Sequence, residues 1–278
     1  MNYYIAISDI HGDIDKLNKA LLDCDVWIKL QRKIGVIKDE DVIQFVFLGD
    51  YIDRMDKPKE VLAKVKEYVL EKNAVCLIGN HDLFLIGTAE GTGIYFEDLG
   101  KSASNATMWM NNGGLKTCKQ MFGTKLDNYF AELKDLNVTD YIQDILDSDE
   151  YKFLTTHGKR KYETELIFFS HSQLSNVKTY DDTVLLWGRN SDYGKPDSAF
   201  KVPGNKAMSV HGHFHRIHEG IYFPRITHYV HGGKAKTVVM ADCGCGCSSM
   251  GKLHPVVIAE SPKGVNGITD YVDIIAIL

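Results

Sequence analysis

Phe45-Val46-Phe47-Leu48-Gly49-Asp50-Tyr51-Ile52-Asp53-Arg54 is the stretch whose reading decides the fold. Four apolar residues between polar segments are too short for a helix and read as a buried strand that halts at a glycine. Two carboxylates and an arginine follow at once. In open α/β sheets the ligand crevice lies outside the carboxyl ends of the strands. An Asp at that place either caps the next helix or belongs to a site, because a buried carboxylate with no partner takes up a proton or costs several kcal/mol.

The same punctuation recurs on both sides. Residues 3–7 read as a first strand that ends at Ser8-Asp9-Ile10-His11-Gly12, and Asp13 then caps a helix running to about Cys24. Ile14, Leu17, Leu21 and Leu22 recur there at helical spacing. Pro58 opens a second helix whose apolar face is Val61, Leu62, Val65 and Val69. A third strand, residues 74–78, ends at Gly79-Asn80-His81-Asp82. Strand, crossover and strand in succession predict a parallel sheet covered by helices. Residues 83–150 carry no strand signal, so a helical cap inserted in one domain of residues 1–278 is expected. Further strands are expected at 165–169 (ending at Ser170-His171-Ser172), 206–210, 237–241, 254–260 and 271–277, with a long loop over 190–204.

The net charge is −5, from 32 basic and 37 acidic residues, so no basic field points to nucleic acid as a partner. No apolar run approaches the ~18 residues of a membrane span. Six cysteines in 278 residues do not make a disulfide scaffold, and the first residues carry no signal-peptide pattern. A soluble cytoplasmic protein with reduced thiols is expected.

Side by side, the strand ends hold Asp9 and His11, Asp50 and Asp53, Asn80 and His81, His171, and His211-Gly212-His213-Phe214-His215. A lone loop histidine is commonplace, but carboxylate, imidazole and amide in order at five strand ends are not. Hard oxygen mixed with imidazole nitrogen suits Mn, Fe, Co or Zn better than Ca or a thiolate site. About seven ligands exceed the needs of one ion, which implies two divalent metal ions sharing a carboxylate. Such a pair, ~3.5–4 Å apart, activates water near neutral pH and clamps the oxygens of an in-line phosphoryl displacement.

Ser8-Asp9-Ile10-His11-Gly12, Gly49–Arg54, Gly79–Asp82, His171 and Gly212-His213 together resemble the calcineurin-like metallophosphoesterase superfamily. The pattern is most similar to its phosphoprotein phosphatase branch, which holds bacterial and phage serine/threonine phosphatases and symmetrical diadenosine tetraphosphatases. Trp109 with Asn112-Gly113-Gly114, Leu186–Arg189, and Asp242-Cys243-Gly244 before Gly251-Lys252-Leu253 extend the likeness to residue 253. The resemblance implies an α/β fold of central β-sheets flanked by helices, a four-layer α/β/β/α sandwich. It implies Asp9 and His11 on a first metal, Asp50 as the bridge, and Asn80, His171 and His213 on a second. Manganese is the first choice, with Fe, Zn, Co or Ni as substitutes. His81 would be the general acid oriented by Asp53, and Arg54 and Arg189 would grip the phosphoryl group as bidentate forks.

Some positions depart from the pattern. Ser8 and Met55 stand where glycine is usual, and Ser172 follows His171 in place of Gly or Ala. His215 is foreign to the protein-phosphatase branch, although in the wider superfamily it ligates the first metal. His211 reads as a supporting or packed residue. Cys243-X-Cys245-X-Cys247 is spaced too tightly for a usual structural zinc and is expected to be a reduced loop at the rim. Trp109 and Trp187 read as packing residues, and Tyr222, Phe223 and Tyr229 line either a groove or an ordinary hairpin.

The activity implied is hydrolysis of phosphate monoesters, with phosphorylated protein or a small phosphoester as substrate. The alternatives are a diadenosine tetraphosphate hydrolase, a phosphodiesterase, or a non-catalytic scaffold. Against the last, the chain keeps every ligand and the acid histidine.

Overall fold

The computed structural model describes residues 1–96, 101–124, 137–174, 182–188, 202–213, 222–246, 250–261 and 271–278. Its first unit is β1 (Asn2–Ile7), α1 (Ile14–Lys33), β2 (Val42–Phe47), α2 (Pro58–Glu71) and β3 (Ala74–Cys76). The three strands pair in parallel, as the crossover pattern requires. Two later strands, β11 (Val256–Ser261) and β12 (Tyr271–Ile277), join antiparallel, giving the order β12-β11-β1-β2-β3. The sheet is therefore mixed rather than wholly parallel.

A second five-stranded sheet stacks on the first. It comprises β6 (Lys161–Glu163), β7 (Ile167–Ser170), β8 (Met208–His211), β9 (Arg225–His231) and β10 (Lys234–Met240), in the order β6-β7-β8-β10-β9. Here β7, β8 and β10 run parallel, and β6 and β9 pair antiparallel at the edges. The period-two alternation of side chains divides the core. Tyr4, Ala6, Val46, Leu48 and Val75 face Ile167, Phe169, Met208 and Val210 between the sheets. Ile5, Ile7, Phe45, Phe47 and Cys76 point the other way, into the helices, with Leu17, Leu21, Val61 and Val65.

Between the sheets in sequence lie α3 (Asn80–Ala89), β4 (Gly93–Phe96), β5 (Lys101–Ser104), α4 (Asn105–Asn111), α5 (Gly114–Phe122), α6 (Ile142–Asp147) and α7 (Asp149–His157). A short α8 (Asp182–Trp187) follows β7. The hairpin β4–β5 departs from the all-helical expectation for 83–150. It joins two four-residue strands, too short to give a periodic signal. Helix α1 also runs nine residues past its expected end at Cys24. Helix-favouring Lys, Leu, Gln and Arg carry it on after the buried period stops. No helix among the described residues is long and apolar enough to cross a membrane.

One buried carboxylate ties the two sheets together. Glu260 of β11 is 1% exposed and accepts hydrogen bonds from the Tyr4 hydroxyl (3.0 Å), the Leu166 N–H (2.8 Å) and the Thr164 hydroxyl. Removing the acceptor leaves these donors unsatisfied, at about 1–3 kcal/mol each. Glu260→Ala is accordingly expected to lower the unfolding free energy by about 3–5 kcal/mol. Urea denaturation should register this as a lower midpoint with an unchanged slope.

Candidate active site

The rim where β1, β2, β3, β7 and β8 end is strained. Among the described residues seven non-glycine positions have positive φ, and six of them are Asp9 (53°), His11 (50°), Asp50 (58°), Asp53 (68°), Arg54 (67°) and His213 (65°). Each left-handed residue costs about 1–2 kcal/mol, so the surrounding structure must hold them there. The turns also lie too close for side chains. A Cβ on Gly79 would strike Asp50, and one on Gly212 would strike Ser8 and Asp9.

Asp50 is the centre. Its Oδ2 lies 3.5 Å from His11 Nε2 and its Oδ1 lies 3.5 Å from His171 Nε2. His11 Nδ1 donates to the Ile52 carbonyl (3.0 Å), and His171 Nδ1 donates to the Leu48 carbonyl (2.8 Å). Each backbone carbonyl can only accept, so in the neutral ring the Nε2 atom carries a lone pair. His11 Nε2 makes no hydrogen bond. His171 Nε2 also faces the Asn80 amide oxygen at 3.0 Å, and His213 Nδ1 approaches the same oxygen at 2.9 Å. Lone pairs of nitrogen, amide and carboxylate thus converge in a buried space, an arrangement that calls for a cation.

Among the described residues, two sets of side chains have ligand atoms mutually within 4.8 Å: His11, Asp50 and His81, and Asp50, His171 and His213. Asp50 belongs to both, as a bridging ligand would. Asp9 belongs to neither. Its carboxylate accepts the His213 N–H (2.9 and 3.1 Å) and the Ser8 hydroxyl. Burial, Asp242 and Asp50 push the Asp9 carboxyl well above its usual range, a further sign that positive charge suits the rim. Burial alone would raise Asp50 too, but the imidazoles of His171, His81, His11 and His213 outweigh it and hold its carboxyl below the usual range. Burial and nearby Arg54 keep His11 neutral, the form in which imidazole binds metal. The donor set fits divalent metal.

His81 opens α3. Its Nδ1 lies 2.6 Å from Asp53 Oδ2, and an Arg54 guanidinium nitrogen lies 3.4 Å from its Nε2. Burial disfavours the charged ring, but the carboxylates of Asp50 and Asp53 prevail and raise its pKa. Asp53 also accepts from Trp109 Nε1 at 2.9 and 3.0 Å and from the Thr117 hydroxyl. Trp109, read from the sequence as packing, is thus also a donor that fixes the dyad, and Thr117 carried no sequence signal at all.

Other expectations resolve as follows. Arg189, His215 and Cys247 lie outside the described residues. Cys243 and Cys245 are buried free thiols whose pKa values burial raises, Cys245 to about 12, and they join neither set of metal-binding side chains. Tyr229 sits on the β9–β10 hairpin, where its hydroxyl accepts the Val202 N–H. Phe223 lies against His254, with ring centres 4.5 Å apart. His211 is fully buried and supports the neighbouring strand ends. Its nitrogens meet Ser170 Oγ (2.9 Å) and Ser209 Oγ (3.0 Å), and burial lowers its pKa to about 3.

Asp82 closes the Gly79–Asp82 motif, yet the sequence assigned it no role. Its buried carboxylate accepts backbone N–H bonds from Asp50 (2.8 Å), Tyr51 (3.0 Å) and Gly79 (2.8 Å). It stitches the turn after β2 to the turn after β3. Burial and Asp50 push its pKa up to about 7, against those three donors. Asp82→Asn places an amide N–H among the donors and loosens the turn that aims Asp50. Divalent-metal affinity measured by calorimetry should fall about 10–100-fold, the usual cost of losing a residue that orients a ligand.

Comparison with known proteins agrees with this geometry. Residues 4–217 match the family model described as calcineurin-like phosphoesterase. No curated protein matches the chain at a significant level. Among solved structures, a hypothetical protein from Pyrococcus horikoshii OT3 is 12% identical, with 99% of this chain and 88% of that one covered and a TM-score of 0.51. A protein serine/threonine phosphatase from Saccharomyces cerevisiae is 13% identical (98% and 79% covered, TM-score 0.49). A metallophosphoesterase from Sphaerobacter thermophilus is also 13% identical (92% and 82% covered, TM-score 0.45). The first bears on the fold alone, and the other two, with TM-scores below 0.5, carry no argument. With the matched segment covering most of the chain and a buried Asp50 flanked by histidines at the sheet rim, this protein belongs to the calcineurin-like phosphoesterase family, whose members are metal-dependent phosphoester hydrolases.

Proposed function

We propose that the chain hydrolyses phosphate monoesters, with phosphoserine and phosphothreonine in proteins as substrates and manganese as the metal. The observation that carries this reading is the convergence of acceptors on Asp50 next to the His81–Asp53 pair and the Arg54 guanidinium. Asp9 and His11 would hold one cation, Asn80, His171 and His213 the other, and Asp50 both; His215 would complete the first site. Bound divalent cations would supply positive charge to the phosphoryl oxygens and acidify the attacking water.

The chain's own residues do the rest. Arg54, joined by Arg189, grips the phosphoryl oxygens through charge-assisted hydrogen bonds. Asp53 accepts from His81 Nδ1, which leaves Nε2 to deliver a proton to the leaving alkoxide. Although burial opposes it, the carboxylates of Asp50 and Asp53 raise the His81 pKa and so favour the proton-carrying form of the ring. Residues 83–150 act as the cap that selects substrates within one domain of 1–278. The five cysteines among the described residues are buried free thiols, compatible with the reducing cytoplasm.

A metal-reconstituted substrate panel tests the proposal. Phosphate should be released from p-nitrophenyl phosphate and phosphopeptides, while bis-p-nitrophenyl phosphate and diadenosine tetraphosphate are hydrolysed far more slowly. Faster turnover of either of the latter two would overturn the monoester reading in favour of a diesterase or a dinucleotide hydrolase. His81→Asn should lower turnover by about 10²–10⁴-fold with metal content unchanged by elemental analysis. Equal rates in mutant and parent would remove His81 from proton transfer.

A further inference from the structure

Helix α1 presents two apolar faces, and only one is covered. Ile14, Leu17, Leu21 and Cys24 are buried against the first sheet. On the far side Leu22, Val26 and Leu30, with Ile34 at the C-cap, are 61%, 57%, 51% and 61% exposed. These four recur at every fourth position and form one continuous ridge. A surface helix ordinarily turns polar residues to water there. Scattered exposed leucines need no explanation, but four large aliphatic side chains in a row make an interaction surface.

We propose that this ridge is the interface of a two-fold symmetric homodimer, with α1 packed antiparallel on α1 of a second copy. Reversal of direction makes the ridge complementary to itself. Leu22 then meets Ile34 of the partner subunit, and Val26 meets Leu30 of the partner subunit. Rows of i±4 side chains interlock when helices cross at about −50°, which lays the two ridges along one line. Two-fold pairing through one shared patch is also the commonest form of soluble oligomer.

Charge selects the antiparallel arrangement. Asp25, Lys29 and Lys33 form the row along one edge of the ridge. In the antiparallel dimer Asp25 lies between Lys29 of the partner subunit and Lys33 of the partner subunit, and the contact occurs twice. A parallel dimer would set each charge against its own copy. On the other edge, Asp23 is already neutralised by Lys19 of the same helix at 2.6 Å. The ridge occupies the later part of α1, whose first turn follows the His11 loop, so pairing there leaves the catalytic residues untouched.

The test is sedimentation velocity or light scattering on the full chain across a concentration series. A dimer is expected for the parent. Val26→Glu and Leu30→Glu should be monomeric at the same concentrations, with unchanged circular dichroism and unchanged turnover of p-nitrophenyl phosphate. Asp25→Lys should raise the dimer dissociation constant about three- to tenfold, and adding Lys29→Asp should restore it. A parent that stays monomeric throughout, or a dimer that survives both glutamate variants, overturns the proposal. The first result would leave the ridge to some other partner, and the second would place the dimer contact elsewhere. An Asp25→Lys dimer as tight as the parent overturns the antiparallel register.

Discussion

Lone pairs that face one another in a buried space repel unless positive charge stands among them. Around Asp50 two imidazole nitrogens and a carboxylate meet in that way, and on the His171 side an amide oxygen joins them. The carbonyls of Ile52 and Leu48 enforce it by occupying the other nitrogen of each ring. Rotation of either ring would abandon a buried carbonyl, so the ligand atoms stay aimed inward. The rest of the site answers to this constraint. Left-handed backbone at Asp9, His11, Asp50, Asp53, Arg54 and His213 folds the chain tightly enough to bring the side chains together. That strain persists because the strands beneath are locked into sheets with fully buried cores.

Backbone hydrogen bonds then join the turns to one another. Asp82 gathers donors from the ends of two strands, and Asp9 takes the His213 N–H from the second sheet. The rim is thus built jointly by both sheets: His11, Asp50 and His81 follow strands of the first, and His171 and His213 follow strands of the second. Asp53 extends the network outward. Its four hydrogen bonds to Trp109, Thr117 and His81 couple the His81 ring to α4 and α5. Movement of those helices would be felt at His81 directly.

Much of this was legible from residue order. The strand ends at Gly49, Gly79 and Ser170 announce themselves because buried strands are short apolar runs stopped by small or polar residues. The parallel core β1-β2-β3 follows from helices inserted between those runs. The reversal at β11 and β12, the short strands β4, β5 and β6, and the extension of α1 were not legible. Each depends on pairing partners or packing far away in sequence, and short segments carry too little periodicity to declare a state.

The sequence by itself determined which chemistry is present: carboxylate, imidazole, amide and guanidinium groups placed after apolar strands, in an order that marks the family. Only the tertiary structure decided how they meet. It set Asp50 between two histidines, drew Asp82 into the backbone, and turned Trp109 from a packing residue into a donor for Asp53. It also left the outer ridge of α1 bare. The reason is physical: residue type fixes what a side chain can donate, accept or carry as charge. Who its partner is depends on long-range packing, which no local stretch encodes.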